Sequence, residues 1–227
     1  MFSTFVFLIG FSSGLNVFQK PHRMQSLNVA FDAMTTQQIE ELIKNLKAKS
    51  VDFDQGLTQQ EILQIEQKFS LKFPPDLNQF LKRSLPTSKD FYNWRKALTS
   101  KEETDRINSM LAWTLDGMLF DIEENGFWYE RWGKKPKSLD EQFDIAKQYY
   151  QTYPKLIPIF SHRYISSDPD IEGNPVFSVH QMDIIYYGYD LASYFANEFH
   201  FALSDNFALL DKPKNKIEFW TWCVENN

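Results

Sequence analysis

Two short amphipathic helices are predicted between Leu57 and Leu81. Thr58 followed three residues later by Glu61 has the spacing of a capping box, and Pro75 suits the first position of the second helix. The apolar residues of the two helices recur at the spacing of a single helical face: Ile62, Ile65, Phe69, Leu77, Phe80 and Leu81. Each helix should therefore bury one face in the core.

An earlier helix is predicted from the sequence MTTQQIEELIKNLKAKS, which begins at Met34. Thr35 or Thr36 can cap it, and its apolar positions again share one face: Ile39, Leu42, Ile43 and Leu46. The preceding residues 1–33 allow three interpretations: a dispensable or mis-assigned extension, a signal or lipid-proximal segment, and a packed extra element. Their apolar run is too short for a bilayer-spanning helix, which needs about 20 apolar residues, so no membrane span is expected.

The second half of the chain carries strand patterns. In GMLFDIEENGFWYERWG, an apolar run followed by Asn125-Gly126 predicts a hairpin with strands near 118–123 and 127–131. VFSVHQMDIIYYG predicts a second hairpin that turns near Gln181. Pro158 interrupts LIPIF and should lie at a strand edge or at the start of a strand instead of in a central ladder, because proline donates no ladder hydrogen bond.

The order of these elements predicts the fold class. Helices come first, strands follow, and Asp190 can cap a helix after the final hairpin. This order indicates an α+β fold over residues 34–227, a single domain with a mostly antiparallel sheet of about six strands packed against N-terminal and C-terminal helices. The last apolar segment, KIEFWTWCV, fits either a strand or a short helix.

Several blocks resemble the SMI1/KNR4 family, also called the SUKH superfamily. LTQQEILQIEQKFSLKFPPDLNQFL resembles its opening signature, which has a Leu-Thr, a helix containing a glutamate (here Glu66) and a Pro-Pro-Asp before a second helix. GMLFDIEENGFWYERWG, LIPIFSHRYIS and GNPVFSVHQMDIIYYGYDLASYFANEF resemble later blocks of a longer bacterial-type branch. The resemblance covers residues 34–200.

The resemblance implies a function as well as a fold. It implies an α+β domain with about six strands, used in many bacteria as an immunity protein that binds and blocks a cognate toxin. Similar fungal proteins look like regulators of cell-wall synthesis and signalling. No enzymatic activity is typical of the family, so neither a catalytic residue nor a cofactor is expected.

The excess of acidic residues in the chain is concentrated in one segment. Its net charge is −6, and residues 101–130 hold eight acidic and two basic residues. Nothing resembles a lysine and arginine stripe with interleaved aromatics, which disfavours nucleic-acid binding; a basic protein partner fits better. Cys223 is the single cysteine, which excludes an internal disulfide and fits a reducing compartment. We therefore expect a cytoplasmic protein.

A dense acidic and aromatic group follows position 120. Its candidate partner-binding residues are Asp121, Glu123, Glu124, Trp128, Glu130 and Trp132. On a strand, Asp121 and Glu123 would share one face. Three interpretations remain open: a carboxylate pair beside tryptophans for glycoside hydrolysis, an acidic face that binds a protein or ligand, and an ordinary solvated edge.

His162, Arg163 and Tyr187 complete the candidate partner site. Arg163 precedes an acidic loop and is expected either to tie that loop down or, with His162, to line a partner pocket. Tyr187 is a candidate contact residue because tyrosine supplies a large contact area at low entropic cost. The histidines have no His or Cys at metal-ligand spacing, so no metal site is expected.

Two functional hypotheses follow. The first is a non-enzymatic domain that recognises another protein, such as a basic secreted toxin, through an acidic and aromatic surface. The second is a regulatory or scaffold module in the host's cell-wall or signalling machinery. The oligomeric state is left open by the sequence.

Overall fold

The computed structural model describes residues 34–227, and the three interpretations of residues 1–33 lie outside the described part of the chain. Within 34–227 the chain forms seven α-helices and six strands, with short 3₁₀ turns at Lys96–Leu98 and Glu130–Trp132. The helices are α1 Thr36–Ala48, α2 Gln59–Phe69, α3 Pro75–Arg83, α4 Lys101–Glu124, α5 Leu139–Tyr150, α6 Leu191–Glu198 and α7 Glu218–Glu225. The strands are β1 Phe53–Gln55, β2 Ser84–Pro86, β3 Leu156–Phe160, β4 Arg163–Ser166, β5 Val176–His180 and β6 Asp183–Gly188.

The predicted helix starts between Met34 and Leu81 are confirmed. The Thr58 hydroxyl accepts the N–H of Glu61, and the Glu61 carboxylate accepts the N–H of Thr58 at 2.8 Å. Thr35 caps α1 in the same reciprocal way with Gln38. All six apolar residues predicted to be buried in α2 and α3 are at most 5% exposed, and burial of each contributes about 1.5–3 kcal/mol.

The α+β class is confirmed, but the six strands form two sheets instead of one. Strands β3 to β6 make a four-stranded antiparallel sheet in chain order, while β1 pairs with β2 in a separate antiparallel ladder. β2 follows α3 without a loop, so β1 and β2 close around the α2–α3 pair. Pro158 lies in the edge strand β3, as predicted, beside an irregular register.

The hairpin predicted around Asn125-Gly126 is wrong. Residues 118–123 belong to the long helix α4, and 127–129 are irregular before the 3₁₀ turn at Glu130–Trp132. Asn125 is the helix C-cap, its N–H bonded to the Asp121 carbonyl, and Gly126 follows with a φ of +72°. The same Asn-Gly pair that suits a hairpin turn also suits a helix C-terminus, because glycine adopts positive φ without strain.

The hairpin predicted near Gln181 is confirmed. His180 pairs with Asp183, and Gln181 has a φ of +56° in the turn between β5 and β6. The β3–β4 hairpin turns at Ser161, where φ is +47°. Since β4 pairs with β5, these two turns lie side by side at one end of the four-stranded sheet.

Two apolar clusters fill the interior of the described domain. One joins α1, α2, α3 and α6 to one side of the sheet. The other packs α4, α5 and α7 against the sheet through a dense set of aromatic rings. In residues 34–227, none of the helices has both the length and the apolar character to cross a bilayer.

Candidate functional site

The outer face of α4 carries two exposed aromatic residues. Trp113 and Phe120 are seven residues apart, so they lie two turns apart on the same helical face. Their exposed fractions are 41% and 47%, which is high for such large apolar side chains. Exposed aromatic surface of this kind is typical of a contact site and costs free energy while it faces water.

An open groove runs between this face of α4 and the two adjacent hairpin turns; we call it the α4 groove. Its first part has a volume of about 350 Å³ and is lined by Tyr92, Met110, Trp113, Ser161, His162 and His180. Its second part has a volume of about 230 Å³ and is lined by Trp113, Asp116, Gly117, Phe120, His180 and Gln181. Trp113 and His180 line both parts.

Gly117 explains how the helix approaches the sheet closely at the floor of the groove. A Cβ atom on Gly117 would lie 2.7 Å from the Cα of Gln181, which is closer than real side chains allow. Glycine therefore permits α4 to contact the β5–β6 turn through backbone atoms. Trp113 and Phe120 then stand on either side of this contact, one helical turn away in each direction.

A second cavity lies beside the C-terminal end of α4; we call it the Trp222 pocket. It has a volume of about 470 Å³ and is lined by Asp121, Asn125, Phe127, Trp128, Met182, Asp183, Trp222, Cys223, Asn226 and Asn227. Both α4 and the β5–β6 turn line both cavities. Phe120 and Gln181 line the groove, and the residues that follow them, Asp121 and Met182, line the pocket. The two cavities thus flank one contact between helix and turn.

Asp121, predicted to contact a partner, instead holds α4 to the β5–β6 turn. It is 7% exposed, and its Oδ2 accepts the Met182 N–H at 2.8 Å while its Oδ1 accepts a hydrogen bond from Asn125 Nδ2 at 2.5 Å. Glu123 and Glu124 are exposed on the same helix. Because the segment is helical, Asp121 and Glu123 point in different directions, which contradicts the predicted shared strand face.

The two tryptophans of the predicted site occupy different environments. Trp128 is half-buried and lines the Trp222 pocket, with its indole N–H donated to the Gly133 carbonyl at 2.8 Å. Trp132 is only 5% exposed, and its indole N–H donates to the Tyr153 hydroxyl at 2.6 Å. The prediction that Trp132 is a surface contact is therefore wrong, because its ring belongs to the aromatic core. Glu130 is exposed just before it.

Arg163 does not tie down the acidic loop at 168–172, so that expectation is wrong. Its Nε donates to the Glu198 carboxylate at 2.8 Å and its Nη1 to the Ser178 hydroxyl at 2.8 Å. The guanidinium also lies 3.8 Å from the ring centroid of Tyr187. Arg163 thereby joins β4 to α6 and covers one face of Tyr187, which has a half-buried side chain.

Of His162, Arg163 and Tyr187, only His162 lines the α4 groove. Its Nε2 accepts a hydrogen bond from Arg163 Nη1, and its Nδ1 lies 3.2 Å from the Ser161 hydroxyl. Burial, followed by the positive charges of Arg163 and of His180 when protonated, holds the pKa of His162 below its usual range. His162 is therefore a neutral imidazole at neutral pH and adds no positive charge to the groove.

The chemistry of Cys223 is that of a buried thiol. Burial raises its pKa to about 12, so the sulfur stays protonated at neutral pH and is a poor nucleophile. Across residues 34–227, there is no group of three or more His, Cys, Asp or Glu residues arranged to hold a metal ion.

No family model, no curated protein and no solved structure matches the chain. The resemblance of its blocks to the SMI1/KNR4 family therefore stays a prediction, and the case for function rests on the groove and the pocket.

The sequence prediction missed the residues that frame the groove. The sequence patterns do not distinguish Trp113 and Phe120, which frame the groove, nor Asp183 and Trp222, which line the Trp222 pocket. The missed signal was the seven-residue spacing of two aromatics opposite the buried residues Ile107 and Met118. That spacing becomes visible when residues 101–124 are taken as one helix.

Replacing Asp121 with alanine should lower the free energy of unfolding by about 2–3 kcal/mol, because the Met182 N–H loses its buried acceptor. Replacing the exposed Glu123 with alanine should change it by less than about 0.5 kcal/mol. Urea unfolding of both variants checks this difference. Equal stabilities would contradict the structural role assigned to Asp121.

Proposed function

We propose that this protein is a non-enzymatic protein-binding domain that receives its partner in the α4 groove. The observation that carries the proposal is the exposed pair Trp113 and Phe120 framing an apolar groove. Tryptophan is among the side chains most enriched at energetic centres of protein interfaces, and buried aromatic anchors dominate their affinity. A partner that covers this pair would remove the cost of exposing both rings.

The charges beside the groove favour a basic partner. Asp116 lies between the two aromatics on α4, and Glu123 and Glu124 follow at the end of the same helix. In the described part of the chain these three carboxylates form no ion pair. Complementary charge on a partner would raise the association rate, and added salt would reduce that gain.

The biological role proposed for this interaction is that of an immunity protein. Its partner would be a cognate toxin, and the domain would act by steric blockade of the toxin's working surface. The sequence resemblance to SMI1/KNR4 proteins and the acidic rim of the groove support this proposal. A regulatory or scaffold role in cell-wall or signalling machinery is the alternative, and an adjacent toxin-like gene would favour immunity over it.

Replacing Trp113 and Phe120 together with alanine should weaken binding of a partner captured from the native cell by about 100-fold, since each ring is expected to act as an interface anchor. The matched control replaces Ile185 and Leu209, which are also exposed apolar residues but lie outside the groove. Partner affinity is measured by surface plasmon resonance with the wild type and both double variants.

Two results would contradict the proposal. One is a partner affinity that is the same for the groove variant and the wild type; the other is an equal loss in the Ile185 and Leu209 control. Where the captured protein is a toxin, co-expression provides the biological test. The wild-type domain should restore growth, and the groove variant should not.

A further inference from the structure

The Trp222 pocket has a lining that differs in chemistry from the α4 groove. Three half-buried aromatic side chains, Phe127, Trp128 and Trp222, share it with the carboxylates of Asp121 and Asp183. No lysine, arginine or histidine is among its described lining residues. Aromatic faces and carboxylates both attract cations, so the pocket is built for a positively charged group.

The aromatic walls are held in place by packing. The ring centroids of Trp222 and Tyr129 are 4.4 Å apart, and those of Trp222 and Phe127 are 6.3 Å apart. Trp128 is fixed by its hydrogen bond to Gly133 and by its edge-to-face contact with Trp132, whose ring centroid is 5.1 Å away. Fixed rings lower the entropic cost of accepting a ligand.

The polar groups of the pocket have unused acceptor capacity. The exposed Asp183 carboxylate makes no hydrogen bond or ion pair with any residue in 34–227. Asn125, Asn226 and Asn227 each donate their side-chain N–H to another acceptor. Their amide oxygens accept no hydrogen bond from the described residues, so they remain available, as acceptors, for a ligand rich in donors.

We propose that the Trp222 pocket binds an arginine side chain of the partner protein, an inference that rests on the proposed function. A guanidinium has five N–H donors and no acceptor, and its flat face stacks on aromatic rings while its edge pairs with a carboxylate. Asp183 is the carboxylate that receives it. Trp222, which lies on α7 at the wall of the pocket, supplies the aromatic face for stacking.

The ammonium group of Lys135 lies near one wall of the pocket. The Lys135 ammonium lies 6.0 Å from the ring centroid of Trp128 and donates to the Gly126 carbonyl at 3.0 Å. Lys135 is not one of the lining residues, and the bond to Gly126 holds it on the loop that follows α4. It offsets part of the negative charge, but among residues 34–227 Asp183 forms no ion pair and no cation lies over the Trp222 ring.

The inference is tested by titrating the full chain with N-acetyl-arginine amide and with N-acetyl-citrulline amide, which has nearly the same shape but no charge. Binding is followed by the indole signals in two-dimensional NMR. We expect saturable shifts of the Trp222 and Trp128 indoles with the arginine compound and at least tenfold weaker binding of the citrulline compound. Asp183→Asn should weaken arginine binding at least tenfold, and Asp144→Asn, at an exposed aspartate outside both cavities, should leave it unchanged.

Equal binding of the two compounds, no saturable shift, or an unchanged affinity in Asp183→Asn would each overturn the inference. Asp183 is exposed in a turn, so its amide variant is expected to fold, and its thermal unfolding checks this. The proposed function has a separate readout, because it depends on Trp113 and Phe120. If replacing those two residues abolishes partner binding while the domain does not bind the arginine compound, the arginine pocket is wrong and the proposed binding function is retained.

Discussion

Replacing Trp220 with alanine should lower the free energy of unfolding by about 3–5 kcal/mol, the range for removing a large buried aromatic side chain. Trp220 is 1% exposed, and its indole N–H donates to the Pro154 carbonyl at 2.7 Å. Its ring also packs against Phe219 at 5.0 Å between centroids and against Tyr150 at 6.2 Å. Alanine would leave a cavity and a carbonyl without its donor.

The control for this variant lies two residues further along the same helix. Trp222 is half-buried at the wall of the pocket, so Trp222→Ala should cost about half as much stability as Trp220→Ala while removing a binding surface. Thermal unfolding separates the two, since about 2–4 °C is lost per kcal/mol in a domain of this size. Equal melting temperatures for the two variants would contradict the division of α7 into a core side and a pocket side.

The second large effect is the pH dependence of stability caused by Asp76. Asp76 lies in the Pro-Pro-Asp segment that begins α3 and is 2% exposed. Burial, against the opposing hydrogen bonds donated by the N–H groups of Gly173 and Leu77, raises its pKa from 3.8 to about 7. The nearby carboxylates of Glu172 and Asp190 contribute to the same rise in pKa.

The direction of the effect follows from proton binding. Between pH 4 and 7 the folded state holds a proton on Asp76 that the unfolded state has released, so stability falls as the pH rises through this window. A shift of about three pKa units corresponds to about 4 kcal/mol at most. The stability contribution is complete below pH 4 and is lost above pH 7.

Asp76→Asn removes this titration while retaining one acceptor. We expect the stability of the wild type relative to Asp76→Asn to fall by about 2–3 kcal/mol between pH 5 and pH 7.5, as measured by urea unfolding at each pH. Comparison with the amide variant cancels the contributions of other carboxylates. A difference between the two proteins that does not change with pH would contradict a raised pKa at Asp76.

Both candidate recognition features depend on α4 continuing to Glu124. The helix carries Trp113 and Phe120 to the groove, and its last turn carries Asp121 to the wall of the pocket. Had 118–123 formed a strand, the predicted acidic face would have been a sheet edge. In the helix, Asp121 is instead buried and bonded to the β5–β6 turn, whereas Glu123 and Glu124 are exposed.

Local signals in the sequence were sufficient for much of the fold. Capping pairs such as Thr58 with Glu61, the proline at position 75 and the apolar spacing in α1 to α3 depend on neighbours within a few residues. For the same reason the hairpin at Gln181 and the edge position of Pro158 were predictable. The hydrogen bonds and backbone angles of these features are determined largely within short segments of the chain.

The α4 assignment and the composition of the site required the tertiary structure. Asn125-Gly126 suits both a hairpin turn and a helix end, and the packing of α4 against the β5–β6 turn selects the helix end. Likewise, the sequence shows an acidic and aromatic group but not that Trp132 packs in the core while Trp222, ninety residues later, joins Trp128 at a pocket. Which side chains are buried depends on contacts between distant segments, and these form only when the chain is folded.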